Sequence, residues 1–127
     1  MIIKVPIMKN RIRQIPKSFS WVDHRLVRHR YIESCTHEQS ALYLFLVCVA
    51  DAQGLSYYSD KSIMKKLDMD MQSLKQARSG LIKSNLIAWQ EPIYQVLSLE
   101  PKAITHRSGQ LMSLADVLSS AVGVIND

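Results

Sequence analysis

From Ala41 to Ala50 the chain reads Ala-Leu-Tyr-Leu-Phe-Leu-Val-Cys-Val-Ala, without one charged residue. So apolar a stretch is unstable against water, yet it falls far short of the ~20 residues that a bilayer span needs. It therefore has to be buried within a folded protein. Thr36 and Gln39 precede it at the capping-box spacing, in which each side chain satisfies the other's free backbone N–H. Asp51-Ala52-Gln53-Gly54 closes it. The segment is predicted to be a central helix, apolar almost all round through Ala41, Leu42, Leu44, Phe45, Leu46, Val47, Val49 and Ala50. A helix of this kind needs other elements to cover it.

The residues that follow supply them. Leu55-Ser56-Tyr57-Tyr58 is a short β-prone stretch, after which Ser59 or Asp60 caps a brief helix carrying Ile63, Met64 and Leu67 on one side. Asp68-Met69-Asp70 makes a tight turn, and Asp70 caps a further helix. In that helix Leu74, Ala77, Leu81 and Ile82 fall at i, i+3, i+7 and i+8, which turns Gln72, Lys75, Gln76, Ser79 and Lys83 outward. Asn85 stops it. Leu86 to Gln90 and Ile93 to Leu99 then read as two strands joined at Glu91-Pro92, a β-hairpin. Upstream, Val22 to Ser34 is predicted to be helical, with Leu26, Val27, Arg30 and Tyr31 at helical spacing and with Phe19 and Trp21 anchoring its start to the core. The fold class is mainly α with a small β-hairpin.

At 127 residues, 47% of them hydrophobic, the chain is expected to form one folded unit. Residues 1–18 combine Lys4, Lys9, Arg11, Arg13 and Lys17 with Pro6 and Pro16, which reads as a basic N-terminal arm. Residues 19–100 form the domain. Residues 101–127 form a polar linker and a C-terminal amphipathic helix with a stripe of Leu111, Leu114, Val117 and Leu118, which has either the domain itself or a second copy to pack against and is expected to mediate a homodimer. The formal net charge of +5 favours a polyanionic partner.

Catalytic, metal-binding and cofactor-binding sets are not expected. Cys35 and Cys48 form no CxxC pair and read as reduced, buried thiols; His24, His29, His37 and His106 lack metal spacing. Glycines at 54, 80, 109 and 123 make no phosphate loop. Trp21, Tyr43, Tyr57, Tyr58 and Trp89 are expected in the core rather than as stacking platforms. The opening residues lack a signal-peptide apolar region, so a cytoplasmic protein without a membrane span is expected.

Helix, short strand, short helix, turn, second helix and hairpin is the order of a winged helix domain with a helical extension in front. Thr36-His-Glu-Gln-Ser-Ala-Leu-Tyr43, Gly54-Leu55-Ser56, Ile63-Met64-Lys65-Lys66-Leu67, Met69, Leu74, Ala77-Arg78, Leu81-Ile82 and Asn85-Leu86-Ile87 resemble the winged helix-turn-helix domains of small bacterial regulators and of DnaD-type replication initiators. Phe19-Ser20-Trp21-Val22-Asp23 and Tyr94-Gln95-Val96-Leu97-Ser98-Leu99 resemble small uncharacterised proteins that accompany bacterial transposable elements.

The resemblance implies double-stranded DNA as partner and a transcriptional regulator as the role. A B-DNA major groove is about 12 Å wide and admits one α-helix, here residues 71–84. Gln72, Lys75, Gln76 and Ser79 are the expected base contacts, because Gln pairs bidentately with adenine and Lys donates to guanine. Lys61, Lys65, Lys66, Arg78 and Lys83 are the expected phosphate contacts, and Arg11 and Arg13 of the arm are candidates for a minor groove. Other readings stay open. A solvated helix face carries the same Gln and Lys residues, Arg78 is also placed to pair with Asp68 or Asp70, and the arm is equally read as a solubilising tail. The hairpin turn holds Glu91 and no base, which is unsuited to clamping phosphate. Arg25, Arg28, His29 and Arg30 form a further cationic cluster. The same domain would also serve a replication or transposition accessory factor of a mobile element, or a protein-docking module that does not touch DNA.

Overall fold

The computed structural model describes residues 1–99. They form a small α+β unit of four helices and one three-stranded antiparallel sheet, in the order α1 (Arg25–Arg28), α2 (His37–Val49), β1 (Leu55–Tyr57), α3 (Asp60–Leu67), α4 (Met71–Lys83), β2 (Ile87–Gln90) and β3 (Ile93–Val96). Single 3₁₀ turns lie at Lys9–Arg11 and Ile32–Ser34. No helix of the described residues is long and apolar enough to cross a membrane.

The three longer helices begin where side-chain oxygens capture their free N–H groups. Thr36 Oγ1 accepts from the Gln39 N–H at 3.1 Å, Ser59 Oγ from Ser62 at 3.2 Å and Asp70 Oδ1 from Ser73 at 2.7 Å. Their ends are equally local. Asp68 (φ 55°) and Asn85 (φ 60°) adopt the left-handed conformation that short polar side chains tolerate, and so stop α3 and α4. Gly54 (φ 84°) makes the turn into β1, and its carbonyl accepts from the Val96 N–H at 2.8 Å. A Cβ there would sit 2.6 Å from the Val96 carbonyl oxygen, so the turn needs glycine on two counts.

The strand order is β1-β3-β2. The Leu55–Tyr57 stretch therefore completes a sheet with the hairpin, which is joined by a cis Glu91-Pro92 bond. Ser56 and Trp89 both stand opposite Tyr94, so these three share the face turned toward the helices, where Tyr94 is fully buried. Against that face pack Leu42 and Leu46 of α2, Ile63 of α3, and Leu74, Ala77 and Leu81 of α4, with Leu86 and Ile87. Each fully buried Leu or Ile contributes roughly 1.5–3 kcal/mol over the exposed state. Phe45 and Tyr58 extend this core as an edge-to-face pair with ring centroids 5.0 Å apart.

Upstream of Thr36 the structure departs from expectation. Instead of one helix over residues 22–34 there is a single turn, Arg25–Arg28, followed by the 3₁₀ turn at Ile32–Ser34. The break lies at Arg30, whose φ of 66° is incompatible with a continuing helix. Leu26 is the buried residue of α1. Phe19 and Trp21 are not anchored in the core; Trp21 is 74% exposed. Tyr57, on the sheet face turned away from the helices, is also exposed. The central helix is not buried all round either, since Leu44 and Cys48 face outward while Leu42, Leu46 and Val47 face in. Cys48 is thus an exposed thiol rather than a buried one, and Cys35 is half-buried.

Candidate nucleic-acid interface

Helix α4 has a buried face and an exposed one, the latter also carrying Met71. Its inner face buries Leu74, Ala77, Arg78 and Leu81, and its outer face exposes Gln72, Lys75, Gln76, Ser79 and Lys83. Ile82 lies at the boundary, 38% exposed. The helix carries no acidic residue along its length. Lys61, Lys65 and Lys66 of α3 are likewise exposed, and the last two sit in its final turn, where the helix dipole favours cations. The structure therefore brings onto exposed surface all four expected base contacts and four of the five expected phosphate contacts.

The fifth is a correction. Arg78 does not face outward: it is 5% exposed, and its Nη1 donates to Asp60 Oδ1 at 2.7 Å and to the Tyr94 hydroxyl at 2.8 Å. Its guanidinium lies over the Trp89 ring, 3.8 Å from the centroid. Burial alone opposes the charged form. Asp60 and Tyr94 more than offset it, and the guanidinium pKa stays above its ordinary value. Arg78 therefore has no donor fork to offer a phosphate, and its partner is Asp60 rather than Asp68 or Asp70. The sequence held the signal for this: position 78 is i+4 from Leu74 and i−3 from Leu81, on the apolar stripe itself.

Two consequences bear on the charge of the outer surface. Asp60 is neutralised from within, and Asp70 is committed to the Ser73 N–H, which lowers its pKa below the usual carboxylate value. Asp68 and Asp70 remain as exposed acids at the start of α4, beside the lysines of α3. Helices α2 and α4 cross closely at Gly80, which the Gln39 side chain overlies.

The hairpin tip at Glu91-Pro92 is exposed and adds an acid but no base. Arg11 and Arg13 are exposed, within a segment in which every residue from Met1 to Val22 is exposed. Of the Arg25 cluster, Arg25 is bound to Asp23 with Nη2 and Oδ2 2.7 Å apart, and Arg30 to Glu33 at 3.3 Å. Leu111, Leu114, Val117 and Leu118, the expected dimer contacts, lie outside the described residues. No family model, curated protein or solved structure matches the chain.

Proposed function

We propose that this chain is a double-stranded DNA-binding protein of winged helix-turn-helix type that inserts the outer face of α4 into a major groove, in the role of a transcriptional regulator. The observation that carries the reading is the sorting of side chains on α4: amides, a hydroxyl and ammonium groups all outward, without an acid among them, on a helix whose other face is locked into the core. The sheet order β1-β3-β2, with β2 packed against α4, is the arrangement a wing beside a recognition helix would have, and it supports the reading. Lys61, Lys65 and Lys66, exposed on α3, would meet phosphates, as the first helix of such a pair does. Arg11 and Arg13 would add contacts from the arm. In vitro selection from random duplexes tests the proposal: it is expected to enrich a short motif, and Gln76→Ala is expected to relax it.

A further inference from the structure

A groove of about 500 Å³ opens at the end of the sheet remote from the hairpin tip. Its walls come from four places: Phe19 and Trp21 of the segment before α1, Tyr43 and Val47 of α2, the turn from Ala50 to Gly54, and Leu97 and Leu99 after β3. Its charged groups are engaged locally, Asp23 with Arg25 and Asp51 with backbone N–H groups. The Asp23 carboxylate is held by the Arg25 side chain, with Nη2–Oδ2 at 2.7 Å, and Asp51 Oδ1 accepts from the backbone N–H groups of Gln53 and Leu55 at 2.8 and 2.9 Å. The cation of the groove, Arg25, is already committed to Asp23, so a phosphate finds no ready partner there, and the apolar walls suit an occupant that presents an apolar face.

Leu99, 8% exposed, is both a wall of this groove and the last described residue, so the remaining chain leaves from the groove itself. That remaining sequence has the chemistry required: from Ser108 to Asp127 its charged residues are Asp116 and Asp127, and Leu111, Leu114, Val117 and Leu118 recur at helical spacing. The stretch between Leu99 and Leu111 spans up to about 40 Å when extended, ample for a return to the same groove. A tether this short gives an effective concentration on the order of millimolar, well above that of a second copy in solution.

We infer that the groove between Trp21, Val47 and Leu99 receives the chain's own C-terminal stripe, Leu111, Leu114, Val117 and Leu118, within one molecule. The stripe then covers Phe19 and Trp21 and is not free to join two copies. This inference is independent of DNA binding: it concerns another end of the domain, and it can fail while the α4 reading stands, or the reverse.

The test is nuclear magnetic resonance on the full chain. Methyl-labelled protein should give nuclear Overhauser contacts from Leu114, Val117 or Leu118 to the Trp21 ring or to Val47. The same contacts should vanish in an isotope-filtered experiment on a half-labelled mixture, which detects only contacts between molecules. Absence of the contacts in the uniformly labelled sample overturns the inference, as does their survival in the filtered one, which assigns the stripe to a second copy. In a Leu114→Asp, Leu118→Asp double variant, Trp21 should become more accessible to acrylamide; unchanged quenching would likewise overturn it.

Discussion

Arg78 and Asp60, one on the buried side of α4 and the other in the first turn of α3, are joined by a 2.7 Å ion pair that also takes in the Tyr94 hydroxyl. One guanidinium thus ties both helices to β3 and, through its 3.8 Å stack on Trp89, to β2.

Removing Arg78 leaves a buried hydroxyl and a one-third exposed carboxylate without their donor. Breaking a buried pair typically costs 3–5 kcal/mol; discounted for the solvent that still reaches Asp60, Arg78→Met should cost about 2–4 kcal/mol in urea unfolding. Arg78→Lys should recover only part of this, because a lysine neither forks nor stacks as Arg does. A loss below about 1 kcal/mol for Arg78→Met would contradict the role given to the pair.

The glycines at 54, in a turn, and at 80, in α4, should respond differently to alanine. At Gly54 a Cβ meets the Val96 backbone and the φ of 84° is strained for any other residue, so Gly54→Ala should destabilise by more than about 1 kcal/mol. At Gly80 the obstacle is the far end of the flexible Gln39 side chain, and alanine is favoured in a helix by about 1 kcal/mol. Gly80→Ala should therefore be near neutral or mildly stabilising. Thermal melts of both variants compare them directly.

Stability should decline in acid. The Arg25 side chain and N–H hold the Asp23 carboxyl down from 3.8 to about 2, and the Ser73 N–H lowers Asp70. A folded pKa below the unfolded one means that the stabilisation is complete above the unfolded value, and for Asp23 it is lost as pH falls from about 3.8 to about 2. Melting temperatures measured from pH 6 to pH 2 should fall less steeply for Asp23→Asn and Asp70→Asn than for the unaltered chain. Parallel curves would show that neither carboxylate is coupled to folding.

Much of this architecture is legible in the sequence because it is local. Thr36, Ser59 and Asp70 announce three helices by their own side chains, Asn85 ends one, and the 3.6-residue recurrence of Leu74, Ala77 and Leu81 fixes which face is buried. What is not legible depends on distant partners. The stripe of Leu74 and Leu81 marks Arg78 as inward-facing, but its partner Asp60, eighteen positions earlier, is set by the fold alone. Phe19 and Trp21 are apolar enough for any core, yet the groove they border leaves them open. The expected helix over residues 22–34 fails at Arg30, where no local propensity demands a left-handed residue.

Within the candidate site, base contacts and phosphate contacts should respond differently to substitution. Lys75→Ala and Gln76→Ala should relax sequence preference, whereas Lys66→Ala should weaken all duplexes alike and reduce the salt slope by roughly one unit. Competition binding with selected and random duplexes distinguishes them. Equal losses on both for all three variants would refute the division.

The most direct test of the account is fluorescence anisotropy of a labelled random-sequence duplex titrated with the full chain between about 50 and 200 mM salt, for the unaltered protein and for a Lys61, Lys65, Lys66, Lys75 quadruple alanine variant. The account predicts binding at the lower salt, a linear fall of log affinity with log salt, and a much shallower slope for the variant. No binding at any salt, or a slope unchanged by the four substitutions, would contradict it.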